Sequence, residues 1–180
     1  LDRDNVALLV LLKPNKRKNS QTRLCVANTH LLFNPRRGDV KLAQIMVLLA
    51  EIDKLAFKTY TDTGRLLYHP ILLCGDLNLE PYSELYKFIG RGSLNYEGLL
   101  ERTMSGQPEG KYGRDLYMGK VVIPQDLGIS DQCQYTETAN ERWQWRNFTA
   151  LIDTPERPKT DQATSSADAA AGKDCDIIME

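Results

Sequence analysis

Ile71-Leu72-Leu73-Cys74-Gly75-Asp76-Leu77-Asn78 decides how this chain is read. Three aliphatic residues and a cysteine run straight into Gly-Asp-x-Asn. Such a run reads as a buried strand. Its end delivers a carboxylate and a carboxamide to the mouth of that strand. Spaced by two on an extended backbone, Asp76 and Asn78 are expected to point to one side. An acceptor-only charged group then stands beside a neutral donor–acceptor group. That pair suits a site that takes a proton from water and holds a phosphoryl oxygen.

Working outward, Leu24-Cys25-Val26-Ala27-Asn28-Thr29-His30-Leu31 is a second strand ending in a polar cluster. Before it, Val6 to Leu12 is a continuous apolar run, expected to be a strand covered on both faces. The two suggest an antiparallel hairpin with a basic loop, Lys16 to Gln21, at its tip. Between His30 and Ile71 the chain turns at Asn34-Pro35-Arg36-Arg37-Gly38. Asp39 is a fair N-cap, and Leu42, Ile45, Leu49, Ile52 and Ala56 recur at helical spacing. The spacing predicts a helix over 40–58, mostly buried, ended by Thr61-Asp62-Thr63-Gly64. Strand, helix and strand in this order imply an α/β (α+β) layered fold.

Further on, Ser83 caps a short helix over 83–89, closed by Gly90 and Gly92. Beyond Asn95 the pattern decays. Trp143, Trp145 and Phe148 suggest a strand over 142–150 with aromatics on one side. Residues 153 to 180 are biased toward Ala, Ser, Thr and Asp and read as a disordered acidic tail. The expected division is a well-patterned 1–100, an irregular 101–152 and the tail, 153–180.

The net charge is −1, so bulk charge predicts neither a nucleic-acid coat nor a membrane surface. Its distribution says more. Residues 1–45 carry nine Lys and Arg against three Asp, whereas residues 153–180 carry three against seven acids. A basic first quarter would suit a polyanionic substrate, whereas the Lys13 to Lys18 cluster by itself reads as a solvated loop. Cys25, Cys74, Cys133 and Cys175 form no C-x-x-C pair, so a zinc site is not expected. Cys25 and Cys74, inside apolar runs, read as buried free thiols in a reducing compartment. No apolar run reaches the roughly 20 residues that a membrane span needs. A first residue other than Met suggests that the chain starts inside a longer protein.

If the strands ending at His30 and Asp76 share a sheet and a direction, both polar clusters reach one rim. Asp76 would then orient or deprotonate a water, while Asn78 and His30 donate to phosphoryl oxygens as charge builds. A hard divalent cation such as Mg2+ would normally share that charge. Singly, each feature has a bland explanation. Gly-Asp-x-Asn is a common turn, and a lone histidine after a strand is often structural. Their conjunction supports chemistry. His69, at the entrance of the Ile71 strand, lies at the opposite end from Asp76 and is not a candidate.

Asn28-Thr29-His30-Leu31 and Gly75-Asp76-Leu77-Asn78, separated by one long helix, resemble the exonuclease/endonuclease/phosphatase superfamily. Asp39-Val40-Lys41-Leu42-x-Gln44 is similar to its deadenylase-like branch, which includes nocturnin. Leu32 to Asp39, Leu94-Asn95-Tyr96-Glu97-Gly98, Ser105-Gly106-Gln107 and Leu127-Gly128-Ile129-Ser130 resemble the Angel proteins. Tyr112-Gly113-Arg114-Asp115 and Pro155-Glu156-Arg157-Pro158 favour the first Angel paralogue. The resemblance implies a four-layer αββα sandwich and Mg2+-dependent phosphoester cleavage at RNA 3′ ends. The reaction would be poly(A) removal or hydrolysis of 2′,3′-cyclic phosphates. It implies a cytoplasmic place, with the nucleus as a second one, and translation or mRNA-decay proteins as partners. Asp76 and Asn78 match the catalytic aspartate and asparagine, and His30 the phosphate-contacting histidine. Asn28 is a secondary match for substrate binding. Arg37 is added from its charge and position.

The departures are equally informative. The metal-binding glutamate of the superfamily would lie upstream of Leu1, so no metal ligand is assigned here. No Ser-Asp-His motif follows; Ser130-Asp131-Gln132 ends in glutamine and sits in a poorly patterned region. Leu79 replaces the serine usual after Gly-Asp-x-Asn. The chain is therefore expected to be an inactive portion of a larger domain. The alternative is a non-catalytic fragment or truncated isoform that binds RNA or protein. A relative acting on lipids or inositol phosphates would need different loops around Arg36 and Arg37.

Overall fold

The computed structural model describes residues 3–15 and 23–152, with side chains as far as Gln144. The expected basic loop at 16–21 and the tail from 153 lie outside the described residues. Strands β1 (Ala7–Leu12) and β2 (Leu24–His30) pair antiparallel as the expected hairpin. Helix α1 (Gly38–Ala56) follows, and then a second small hairpin of β3 (Phe57–Tyr60) and β4 (Leu66–Tyr68). Strand β5 (Ile71–Asp76) returns to pair parallel with β2, giving a sheet of order β1-β2-β5. Helix α2 (Glu84–Arg91) comes next, then three short 3-10 turns, then helix α3 (Thr136–Ile152).

Thirteen of the nineteen residues of α1 are buried, too many for a helix covered from one side only. One side packs on the sheet, against Cys25, Ala27, Leu9, Leu11, Ile71 and Leu73. Met104, Met118, Ile123 and Cys133, from the segment between α2 and α3, join the same core. Burying each large side chain of α1, such as Leu42, Ile45 or Leu48, contributes about 1.5–3 kcal/mol. Gly38 permits the close approach of that segment: a Cβ there would lie 2.3 Å from the Glu101 carbonyl oxygen.

Among the described residues the sheet is covered on one face only, which corrects the expectation for β1. Leu8 is 63% exposed, Leu12 50% and Leu72 51%. The register puts Asn28 between Leu8 and Cys74, and Val26 between Val10 and Leu72, all on this open face. Cys74 is accordingly exposed, whereas Cys25 is the buried free thiol expected.

Several boundaries also move. The N-cap of α1 is Arg37, without a side-chain cap bond, and Asp39 lies in the first turn. The helix stops two residues before Lys58, because Phe57 turns extended and begins β3. Ser83 caps α2 as expected, its Oγ accepting from the Tyr86 N–H at 3.3 Å, and Gly92 closes it at φ 76°. Residues 142–150 belong to α3, not to a strand. Arg142 explains that choice. Its guanidinium donates to Asp53 Oδ2 at 2.8 Å and stacks 4.1 Å from the Phe57 ring centre, which locks α3 onto α1.

Candidate active site

The parallel pairing of β2 with β5 builds the site. Its register places His30 beside Asp76 and Asn28 beside Cys74. Paired residues of adjacent strands project from the same face, so Asn28, His30 and Asp76 share the open face of the sheet. His30 Nε2 lies 3.8 Å from Asp76 Oδ2, with both side chains about two-thirds exposed. The rim is thus formed, as expected from the two polar clusters. The strands approach closely there because Gly75 has no side chain. A Cβ at Gly75 would stand 1.9 Å from the Thr29 carbonyl oxygen, and its φ of +129° is one that only glycine adopts readily.

Asn78 departs from the expected extended geometry. Strand β5 ends at Asp76, and Asn78 is left-handed, with φ 49°. It is held from three sides. Its N–H donates to Asp76 Oδ1 at 2.9 Å, an Asx turn. Its Nδ2 donates to the Leu31 carbonyl at 2.9 Å. Its own carbonyl accepts from Lys41 Nζ at 2.8 Å. The Leu31 N–H closes the corner by donating to the Asp76 carbonyl.

Lys41 was not anticipated. Its side chain is fully buried, and it also donates to Gln107 Oε1 at 2.5 Å. Burial pulls its ammonium down to about 8, against the opposing pull of Asp76. The signal lay in the helix spacing: Lys41 shares a stripe with Ile45, Leu48 and Ile52, all buried.

Arg37 is engaged elsewhere. Its Nε and Nη2 donate to the two oxygens of Asp39 at 2.8 and 2.7 Å. Burial pushes the Asp39 carboxyl up, but the bonds from Arg37 and Val40 outweigh it and hold it below the usual range. His69 is buried and accepts from the Arg23 N–H, a structural role. Ser130-Asp131-Gln132 forms a turn beside Gln134, which donates to Asp53. Asp53 and Lys41 are twelve positions apart on α1, about 18 Å along the axis, so this turn lies away from Asp76.

Among the described residues no group of three or more His, Cys, Asp and Glu could hold a metal ion. Asp76 offers a carboxylate, but a hard cation takes about six oxygen ligands. The described residues therefore do not make a divalent-cation site by themselves. Also among them, no helix is long and apolar enough to cross a membrane.

Comparison with known proteins decides the kinship. No family model matches the chain. It is 48% identical over 135 residues to protein angel homolog 2 of Bos taurus, covering 75% of this chain and 24% of that protein. It is 46% identical over 149 residues to protein angel homolog 1 of Homo sapiens, covering 79% and 21%. Its close homologues are Angel homologs 1 and 2. Carbon catabolite repressor protein 4 homolog 3 of Arabidopsis thaliana is a more distant relative, 39% identical over 105 residues, covering 58% and 22%. The crystal structure of ANGEL2, a 2′,3′-cyclic phosphatase, in complex with adenosine-2′,3′-vanadate superposes with a TM-score of 0.64. That match is 48% identical and covers 74% of this chain and 36% of that one. The fold is thus the mixed α/β fold of the endonuclease/exonuclease/phosphatase type. The chain spans about a fifth to a quarter of the length of its Angel relatives. Identity does not separate the two Angel paralogues.

Proposed function

We propose that the protein carrying this chain is a metal-dependent RNA phosphoester hydrolase acting on 2′,3′-cyclic phosphate ends. The observation that carries this reading is the in-register pair His30–Asp76 beside a locked Asn78. Similarity to ANGEL2, a 2′,3′-cyclic phosphatase, supports this choice of substrate. Asp76 Oδ2 takes the proton of the attacking water, or orients it. His30 Nε2 faces the same point and donates to a phosphoryl oxygen. Asn78 spends one amide hydrogen on Leu31 and keeps the other for substrate. Asn28, on the same face, and Arg37, through what its pairing with Asp39 leaves free, would contact the RNA backbone. A divalent cation, Mg2+ by resemblance, would supply electrostatic relief at the phosphoryl oxygens; its remaining ligands must come from outside the described residues.

The resemblance of Asp39-Val40-Lys41-Leu42-x-Gln44 to the deadenylase-like branch supports 3′-5′ exoribonuclease or deadenylase activity as the other outcome. Cytoplasmic or nuclear residence, and partners from translation or mRNA decay, belong to the same proposal. The incomplete donor set among the described residues favours a second reading for this chain by itself: an inactive wall of the site that binds RNA or protein.

Both are tested with one oligonucleotide carried in two forms, ending in a 2′,3′-cyclic phosphate or in poly(A). The intact protein is expected to open the cyclic phosphate with added Mg2+, and residues 1–180 to leave both untouched. Exclusive poly(A) shortening would move the assignment to the deadenylase branch. Turnover by residues 1–180 would overturn their inactivity.

A further inference from the structure

A fully buried ammonium is costly unless it is well partnered. Lys41 occupies the apolar stripe of α1, where Met would fill the same volume without charge. Both of its acceptors are neutral: the Asn78 carbonyl at 2.8 Å and Gln107 Oε1 at 2.5 Å. The arrangement therefore does not serve as a buried ion pair. What the ammonium grips is a non-glycine residue of the rim held in a left-handed conformation, Asn78 at φ 49°.

The grip also has a second end. Gln107 belongs to the turn segment that Gly38 admits against the start of α1. That segment is tied down beside the site by two further bonds. The Glu80 N–H donates to the Ser105 carbonyl, and Ser105 Oγ donates to the Pro35 carbonyl. One ammonium thus joins the corner after β5 to α1 and to residues 105–107.

We propose that Lys41 is a positioning residue for the reaction at Asp76 and Asn78, holding Asn78 by its carbonyl, with Gln107 as the second anchor. This rests on the phosphoester-hydrolase reading. Lys41 touches no substrate. It fixes where the Asn78 amide and, through the Asx turn, the Asp76 carboxylate stand. Misplacing reacting groups by about 1 Å can cost roughly a hundredfold.

The test uses the intact protein, with Lys41→Met, Gln107→Leu and the acceptor-preserving Gln107→Glu. Turnover of a cyclic-phosphate oligonucleotide is measured with thermal melting, and Asn78 φ is read from a crystal structure of Lys41→Met. For Lys41→Met we expect a cooperative melt, kcat lowered roughly tenfold to a hundredfold, KM within about twofold, and Asn78 displaced from its left-handed conformation. Gln107→Leu is expected to lower kcat in the same sense, and Gln107→Glu to restore it. A folded Lys41→Met with wild-type kcat, or with Asn78 unmoved, overturns the proposal. Should Lys41→Met fail to fold, an unchanged kcat in Gln107→Leu overturns it instead. If the wild type hydrolyses nothing, the hydrolase reading fails by itself. The conformation of Asn78 in Lys41→Met then still decides whether Lys41 holds it.

Discussion

His30 and Asp76 stand in register on adjacent parallel strands, with His30 Nε2 3.8 Å from Asp76 Oδ2. The register is decisive, because a slip of either strand by one position would turn its own residue to the covered face and separate the pair. In the intact protein, Asp76→Asn keeps the shape and removes the proton acceptor. We expect turnover of a cyclic-phosphate oligonucleotide to fall at least about a hundredfold, and His30→Ala to act in the same direction. Melting temperatures should barely change, since both side chains are exposed. Unaltered rates in Asp76→Asn would remove it from the chemistry.

Gly75 carries the approach of the two strands. Gly75→Ala combines a strained φ with a Cβ 1.9 Å from a backbone oxygen. Destabilisation of about 3 kcal/mol is expected. Urea titration followed by circular dichroism measures it. A loss below about 1 kcal/mol would mean that β2 and β5 separate easily at that point.

At the far end of α1, Asp53 accepts from Tyr68 Oη, Gln134 Nε2 and Arg142 Nη1. Asp53→Ala leaves a buried guanidinium without its carboxylate and should cost about 3 kcal/mol. Its effect is expected to add to that of Lys41→Met, because about 18 Å of helix separates them. A clear coupling energy in the double variant would show that α1 shifts as one body.

Stability should respond to alkaline pH in two opposed ways. Lys41 is lowered by burial from 10.5 to about 8, so between those values the unfolded chain binds more protons and stability rises with pH. Tyr135 is raised from 10 to about 12, by burial and by its bond to Glu51. Its contribution is complete below about pH 10 and is lost as pH climbs toward 12. Tyr68 is raised in the same sense by burial and by Asp53. Unfolding free energy measured from about pH 7 to 11 should therefore rise and then turn over. Lys41→Met should flatten the rise, and Tyr135→Phe should soften the fall. A monotonic decline from pH 8 in the wild type would contradict the assignment for Lys41.

Residues 1–180 expressed alone should self-associate through Leu8, Leu12 and Leu72 on the open sheet face. Leu8→Thr with Leu72→Thr should shift sedimentation toward monomer. Monomeric behaviour of the unmodified chain at high concentration would count against this.

The sequence displayed the parts of the fold whose cause is local. Ser83 and Gly92 delimit α2 by capping chemistry, and the runs ending at His30 and Asp76 announce β2 and β5. What depended on distant partners was hidden. Trp143, Gln144, Trp145 and Arg146 alternate like a strand, yet Arg142 reaches a carboxylate on α1 and helix wins. Phe57 continues the apolar spacing of α1, so the β3–β4 hairpin escaped notice. Cys74 and Leu8 look like core because sequence cannot say which face of a sheet is covered. At the site, Asp76 and His30 were legible as residue types at strand ends. The left-handed turn at Asn78 and the buried charge beneath it were not, because a lysine within an apolar stripe ordinarily reads as a solvated residue.

The pairing of β2 with β5 has a kinetic consequence. The β1–β2 hairpin can zip locally, but β5 reaches β2 only after α1 and the β3–β4 hairpin have been laid down between them. Such long-range closure is the slow class of event in folding. His30 and Asp76 therefore belong to separate stretches of chain until the sheet is finished. On refolding, the helical signal should return first, and the proposed activity should lag until that final strand is seated.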